Sequence, residues 1–222
     1  MPINPESVQQ ALASEDFGER LSAVNQIRTL PPDIGFKLLK GATSDTSARV
    51  RYAAVSQMSV LGEQDREAAL TLLRDRLRHD SEVDVQSAAA DALCALHLHE
   101  AFPDLRDLYY QTSEWLIKFS IISSLGELGH TQAFEVLQDA LSSEYELVRT
   151  AAIGALGDLG DHRAVPLLAP FVSHEDWQVR YRLAQALSAL KTAESTSLLQ
   201  QLARDSVAQV AEIASLGLSS PA

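Results

Sequence analysis

The stretch VRTAAIGALGDLG, from Val148 to Gly160, decides the fold of this 222-residue chain. Its apolar residues recur at spacings of three and four, which places them on one face of an α-helix. A glycine directly after such a face is typical of a helix end. The pattern recurs from Val50, Val85, Ile117 and Val179, with a degenerate copy from Glu19 and a truncated copy from Val210. Seven copies spaced 31 to 35 residues apart indicate an internal repeat.

Each copy reads as a helix with a strong apolar stripe, followed by a second helix with a shorter one. No copy buries its stripe alone, so neighbouring copies are expected to stack. The sequence therefore predicts an all-α chain: a right-handed α-solenoid of six to seven HEAT-like two-helix repeats. We expect residues 1–222 to form one domain, with repeats starting near 19, 50, 85, 117, 148, 179 and 210.

Local signals refine this pattern. Residues 1–13 are expected to form a leading helix, and the long segment LLRDRLRHD predicts an extended second helix in the second copy. Pro170 predicts a short or kinked helix, because proline lacks the N–H group that an interior position needs. Ser143 with Glu146, and Ser173 with Asp176, have the spacing of capping boxes ahead of first helices.

Composition excludes several classes of protein. Hydrophobic residues make up 46% and charged residues 22%, so the chain is expected to fold and not to be disordered. A formal charge of −12 disfavours nucleic acid and anionic membranes as partners. Cys94 is the single cysteine, which excludes an internal disulfide. Without a secretion signal or an apolar run of about 20 residues, we expect a cytoplasmic protein with no membrane insertion.

The repeat core resembles that of the HEAT-repeat phycobilin lyases of the E/F type. The stretch LSAVNQIRTLPPDIGFKLL, from Leu21 to Leu39, is similar to the small members of this family that act in phycobilisome degradation. The resemblance implies a cyanobacterial partner of phycobiliproteins, such as phycocyanin or allophycocyanin subunits, that handles their thioether-linked bilins. The same repeat also occurs in deoxyhypusine hydroxylases and in an iron–sulfur assembly scaffold.

Most candidate chemical groups have a plain structural interpretation. His99-Glu100 and His174-Glu175 match the metal-binding pairs of the hydroxylases by type, but they occupy different positions of the repeat. We therefore predict no metal site, since iron needs several ligands at one point. Cys94 lies within the apolar stretch DALCAL and is expected to be an inert, buried thiol.

Two periodic features concern the first helices. A ladder of basic residues shares one register position, and its regular recurrence favours a structural role such as pairing with helix-end carbonyls or carboxylates of the next repeat. Aromatic residues flank that ladder, and we weigh partner contact against simple packing for them equally. The ladder comprises Arg20, Arg51, Lys118, Arg149 and Arg180, and the aromatic residues are Tyr52, Trp115, Phe119, Trp177 and Tyr181.

The second helices supply the predicted binding site. Their polar positions are basic in the early copies and become acidic or neutral in the later ones, at Glu135, Gln138, Asp139, Glu194 and Gln200. A bilin offers two carboxylates and a flat conjugated surface, which arginines and aromatic rings would receive. The predicted substrate- or partner-binding residues are Lys37, Arg74, Arg78, Arg106, Tyr109 and Tyr110. We call these six residues the second-helix patch.

Three functions remain open. The favoured hypothesis is a phycobilisome degradation factor that binds phycobiliproteins and binds or detaches their bilins. No catalytic residue is assigned: His97, His99 or an aspartate of the groove has suitable acid–base chemistry, and the spacing selects none of them. No cofactor is expected, with bilin as a ligand or substrate. The alternatives are a non-catalytic adaptor, for example an iron–sulfur assembly scaffold, and a metal-dependent oxygenase that the count of His-Glu pairs disfavours.

Overall fold

The computed structural model describes residues 3–219, which form fourteen α-helices and no β-strand. The first seven helices are α1 Pro5–Leu12, α2 Phe17–Gln26, α3 Pro32–Ala42, α4 Ala48–Leu61, α5 Arg66–His79, α6 Val83–Ala95 and α7 Phe102–Gln111. The next seven are α8 Trp115–Leu128, α9 Ala133–Ala140, α10 Glu146–Leu159, α11 Ala164–Leu168, α12 Trp177–Leu190, α13 Ala193–Leu202 and α14 Ala208–Ser219. The all-α repeat fold predicted from the sequence is confirmed.

The chain forms two compact units that meet in sequence at Ile121 and Ile122, within α8. In the first unit, α4 packs against both α2 and α6, while α3 packs on α4 and α5 on α6. In the second unit, α12 packs between α10 and α14, and α13 covers both α12 and α14. First helices therefore contact first helices, and second helices form an adjoining layer in each unit. That one domain spans residues 1–222 stays a prediction.

Most residues that begin the predicted repeats are buried. The starting residue of six copies is at most 3% exposed: Val50, Val85, Ile117, Val148, Val179 and Val210. Glu19 starts the degenerate first copy and is exposed. Ala152, in the middle of the stripe that begins at Val148, has no exposed surface. The small side chain at this position allows adjacent helices to approach closely.

Several local predictions are also confirmed. A leading helix, α1, buries Val8, and the second helix of the second copy, α5, is 14 residues long. The helix before Pro170 is short: α11 has five residues and continues as a 3₁₀ turn over Ala169–Ser173. Gly160 ends α10 in the left-handed conformation, with a φ of 72°.

The two predicted capping boxes are wrong. The N-cap of α10 is Tyr145, and the Ser143 hydroxyl instead accepts the Tyr145 N–H at 3.2 Å. The N-cap of α12 is Asp176, whose own carboxylate accepts the Gln178 N–H at 2.8 Å. A carboxylate near the first N–H groups of a helix also interacts favourably with the helix dipole, so Asp176 provides the cap without a serine.

Candidate functional site

The basic ladder on the first helices joins consecutive repeats. Each of three arginines donates two hydrogen bonds to one aspartate in the loop that precedes the next first helix. The Nε–carboxylate distances are 2.7 Å for Arg20–Asp45, 2.8 Å for Arg51–Asp80 and 2.6 Å for Arg180–Asp205. We call these three pairs the arginine–aspartate clamps.

The same arginines also bind their own repeat. The Nη1 group of Arg20 donates to the carbonyls of Ser14 and Glu15 at 2.9 and 3.0 Å. Arg51 and Arg180 make the corresponding pair of contacts, and so the guanidinium groups fix the loop ahead of each first helix. The predicted structural role of the ladder, pairing with carbonyls and carboxylates, is confirmed for these residues.

The clamp is incomplete at Arg149. Its Nη1 donates to the Ser143 and Glu144 carbonyls at 2.7 and 3.3 Å, as in the other repeats. The residue 25 positions later, where Arg20 and Arg180 have their aspartates, is His174. The His174 Nδ1 takes over the local task of the carboxylate by accepting the Asp176 N–H at 3.1 Å. An imidazole ring supplies no negative charge for Arg149.

We expect His174→Asp to stabilise the protein by about 1–2 kcal/mol, because charge-assisted hydrogen bonds are stronger than neutral ones. Urea unfolding of the variant and the parent would measure this difference. The stabilisation should disappear in an Arg149→Ala background, where the new carboxylate has no guanidinium to bind. An equal gain in both backgrounds would contradict the role assigned to Arg149.

The clamps hold their carboxyl groups ionised. The hydrogen bonds from Arg20 and Arg180 lower the pKa values of Asp45 and Asp205, respectively, below the usual range for aspartate. Burial acts to raise the pKa of Asp80, but hydrogen bonds from Arg51 and the Glu82 N–H outweigh it and the pKa is lowered. A carboxyl group with a lower pKa in the folded than in the unfolded state stabilises the fold above its unfolded pKa.

The free energy of unfolding should therefore fall in a defined range of acidic pH. The stabilisation by the clamps is fully present above the unfolded aspartate pKa of about 3.9, and is lost as the pH falls through the lower folded values. The free energy of unfolding, measured in urea from pH 7 to pH 3, should fall most steeply below about pH 4. Asp205→Asn should show a smaller acid-dependent loss than the parent. The same loss in both proteins would contradict this assignment.

In the second-helix patch, two arginines bind the same carboxylate, that of Asp104. Asp104 lies in the first turn of α7 and is 5% exposed. Its Oδ2 accepts the Arg74 Nε at 2.6 Å, and its Oδ1 binds Arg78, one turn further along α5. Arg74 also donates to the Glu100 carbonyl. Two guanidinium groups thus share one carboxylate, and the Arg78 side chain remains 57% exposed.

The other four residues of the patch differ in their exposure to solvent. Arg106 is exposed but binds the neighbouring Asp107 at 2.7 Å, and Lys37 is exposed on α3. Tyr109 is only 6% exposed, since it packs inward with the Lys118 ammonium 5.4 Å from its ring centre. Tyr110 is 53% exposed and contacts Tyr109 edge to face, so it offers the more accessible of the two rings.

The His-Glu pairs and Cys94 lie in different elements. His99 lies in a 3₁₀ turn over His99–Ala101 ahead of α7, whereas His174 precedes α12. Across residues 3–219, histidine, cysteine, aspartate and glutamate side chains form no group of three suited to a metal ion. Cys94 is fully buried in α6, as predicted for an inert thiol.

The aromatic residues of the first helices are exposed to a large degree. Trp115 and Trp177 are 45% and 40% exposed at the starts of α8 and α12. Trp177 and Tyr181 contact each other edge to face, with ring centres 6.5 Å apart. Packing within the chain thus covers only part of these rings.

A surface cleft on the first helices of the first unit was not among the predicted sites. It has two adjoining parts of about 680 and 370 Å³ that share Ala48 and Arg49. Tyr52 lies in the larger part and Phe17 in the smaller part, and both are about half exposed at 49% and 47%. We call this feature the first-helix cleft. Its sequence signal was Ala48, which stands at the register position occupied by Trp115 and Trp177 in other copies.

The fold defines a helical-repeat protein. The family model for HEAT repeats matches residues 5–94, 70–157 and 140–219, and the chain belongs to the HEAT-repeat family. A search of curated proteins finds no match. None of the described helices combines the length and hydropathy needed to cross a bilayer.

Solved structures share this fold at low sequence identity. The complex of CpcE and CpcF of phycocyanin lyase from Nostoc matches with 21% identity, 98% coverage of this chain, 94% coverage of the other and a TM-score of 0.66. The YibA protein of Escherichia coli matches with 15% identity, 98% and 81% coverage and a TM-score of 0.65. Computationally designed armadillo repeat proteins for modular peptide recognition match with 22% identity, 83% and 98% coverage and a TM-score of 0.57.

Proposed function

We propose that this protein binds phycobiliproteins in the cytoplasm of a cyanobacterium and acts in phycobilisome degradation. The HEAT-repeat fold shared with a phycocyanin lyase complex along 98% of the chain is the observation that most supports this proposal. The stretch from Leu21 to Leu39, which resembles the phycobilisome-degradation protein NblB, favours a degradation factor over a lyase that attaches bilin. Phycocyanin and allophycocyanin subunits are the proposed partners.

The arginine pair on Asp104 is the group best suited to receive a bilin carboxylate. Asp104 fixes both guanidinium groups, so little conformational entropy is lost when an anion binds to their outward N–H groups. Arg78 is the more accessible member of the pair. The exposed ring of Tyr110, on α7 one turn after Arg106, supplies an aromatic surface in the same layer. This supports the second-helix patch as a site for an anionic chromophore.

Detachment of a bilin would need a base near the bound chromophore. Elimination breaks the carbon–sulfur bond as the base removes a bilin proton, and the electron pair of that bond leaves with the cysteine thiolate. His99 lies in the 3₁₀ turn whose Glu100 carbonyl binds Arg74, and His97 lies two residues before it. Imidazole is a common general base in enzymes, and we propose these two residues as candidate bases for this step.

Mixing the purified protein with intact phycocyanin tests the proposal. We expect the two to elute together on a sizing column, and loss of the protein-bound visible absorption would indicate detachment. Elution together with an unchanged spectrum would instead favour the non-catalytic adaptor. Separate elution would overturn phycobiliprotein binding, and a spectral change that requires added iron would favour the oxygenase.

A variant tests the role of the second-helix patch. Lys37→Glu, Arg78→Gln and Arg106→Glu together should weaken phycocyanin binding by at least about tenfold, since each charge-assisted contact contributes about 1.5–3 kcal/mol. Arg74 is left intact because its reversal would place a second carboxylate beside the buried Asp104. Glu194→Lys, an exposed change in α13, is the control and should bind as the parent does. Unaltered binding by the triple variant would exclude the patch.

A further inference from the structure

We infer that the first-helix cleft is a docking surface for a phycobiliprotein segment that carries an acidic, a large apolar and a basic residue. The inference deepens the proposed function, on which it rests, by naming the face of the first unit that a phycobiliprotein contacts. The cleft is lined in its larger part by Leu21, Ala48, Arg49, Tyr52, Ala53 and Val85, with Glu82 and Asp84 at the rim.

Arg49 gives the cleft its cationic end. It is exposed at the start of α4 and makes no ion pair or hydrogen bond with the described residues. Arg20 on α2 and Arg51 on α4 differ from Arg49, because both are held in clamps. A partner carboxylate can therefore bind Arg49 without displacing an internal partner, which is not so for Arg74 or Arg106.

Apolar surface lies on both sides of Arg49. Phe17 is 47% exposed in the smaller part of the cleft, and Tyr52 is 49% exposed in the larger part. Ala48 and Ala53 have small side chains, and this leaves open volume between the rings of neighbouring repeats. Tyrosine, phenylalanine and arginine are enriched at the centres of protein interfaces, where a few such residues provide most of the affinity.

Carboxylates from a neighbouring helix also line the larger part. Glu82 precedes α6 and Asp84 lies in its first turn, and both are exposed. The larger part thus combines a cation at Arg49 of α4, apolar surface at Tyr52 and Leu21, and two carboxylates at the start of α6. A segment that carries both charges would be attracted with its carboxylate at Arg49 and its basic group at Glu82 and Asp84, and repelled in the reverse placement.

The first-helix cleft and the second-helix patch belong to the same unit. One helix with its side chains is about 10–12 Å across, so a folded partner can reach both layers of this unit. Binding at the cleft therefore does not exclude contact of a bilin with the patch. Two measurements distinguish the surfaces. Changes in the cleft should alter only the affinity for phycocyanin, whereas changes in the patch should also alter the visible spectrum of its bilin.

The test compares phycocyanin affinity of the full chain with that of Tyr52→Ala, Arg49→Glu and their combination. Each single change should raise the Kd by at least about tenfold, as expected for a central interface residue. Arg204→Glu removes another exposed arginine without a described partner, and Val60→Ala shortens a 72% exposed side chain of α4. Both control variants should bind within about threefold of the parent, since most peripheral residues contribute little.

Charge complementarity provides a second measurement. Glu82→Lys with Asp84→Lys should weaken binding, because the basic residue of the partner segment loses its carboxylates. Unchanged affinity of this double variant would contradict the role assigned to Glu82 and Asp84. All variants must retain the helical spectrum and melting temperature of the parent. A parent protein that does not bind phycocyanin overturns the proposed function. A parent that binds, with Tyr52→Ala and Arg49→Glu variants of equal affinity, overturns the docking surface alone.

Discussion

Replacing Asp80 by alanine is expected to lower the free energy of unfolding by about 3–5 kcal/mol, the range found when one partner of a buried ion pair is removed. The Asp80 side chain has no exposed surface and accepts two hydrogen bonds from Arg51, each 2.8 Å long. It also accepts from Arg76 at 3.3 Å and from the Glu82 N–H at 3.1 Å. The variant leaves the mostly buried Arg51 guanidinium without its carboxylate.

Asp75 provides the matched control for this change. It is also an aspartate paired with Arg76, but its side chain is 52% exposed. Solvent-exposed ion pairs contribute only about 0–1 kcal/mol, so Asp75→Ala should be nearly neutral. Urea unfolding monitored by circular dichroism measures both variants under the same conditions. Equal losses would show that burial of the clamp contributes nothing to its strength.

The repeat register could be predicted because it depends only on the chain itself. Apolar spacing identifies the buried face of each first helix, and Val148 and its counterparts all lie in the core. The structural role of the ladder followed from its recurrence. The aspartate partners of the ladder also recur in the sequence, since Asp45 and Asp205 each lie 25 residues after their arginine. A residue pair at constant spacing across repeats predicts a contact between adjacent copies.

The surfaces were harder to predict, because they depend on how helices are rotated against one another. Tyr109 and Tyr110 are adjacent on α7, yet one is buried and the other exposed, since consecutive helical residues point about 100° apart. The first-helix cleft depends on residues of two neighbouring repeats, Phe17 on α2 and Arg49 and Tyr52 on α4. Only packing of α2 against α4 brings them together. Capping failed at Ser143 for a related reason, as its hydroxyl binds the loop and not the helix.

Gly157→Ala is expected to destabilise the protein by about 2 kcal/mol or more, within or above the usual range for overpacking. Gly157 lies in α10, where it faces Ala186 of α12. A Cβ atom at this position would lie 2.5 Å from the Ala186 Cα and 3.0 Å from its carbonyl oxygen. Because these are backbone atoms, the conflict cannot be relieved by a change of side-chain rotamer, and the two helices must separate.

The sign of this effect distinguishes packing from helix propensity. Alanine favours a helix interior over glycine by about 1 kcal/mol, so propensity alone predicts that Gly157→Ala stabilises the protein. Gly41→Ala is the matched control, because Gly41 lies in α3 with open space around its Cβ position. We expect Gly41→Ala to raise the melting temperature and Gly157→Ala to lower it. Stabilisation by both changes would contradict the close contact of α10 with α12, on which the stacking of first helices in the second unit depends.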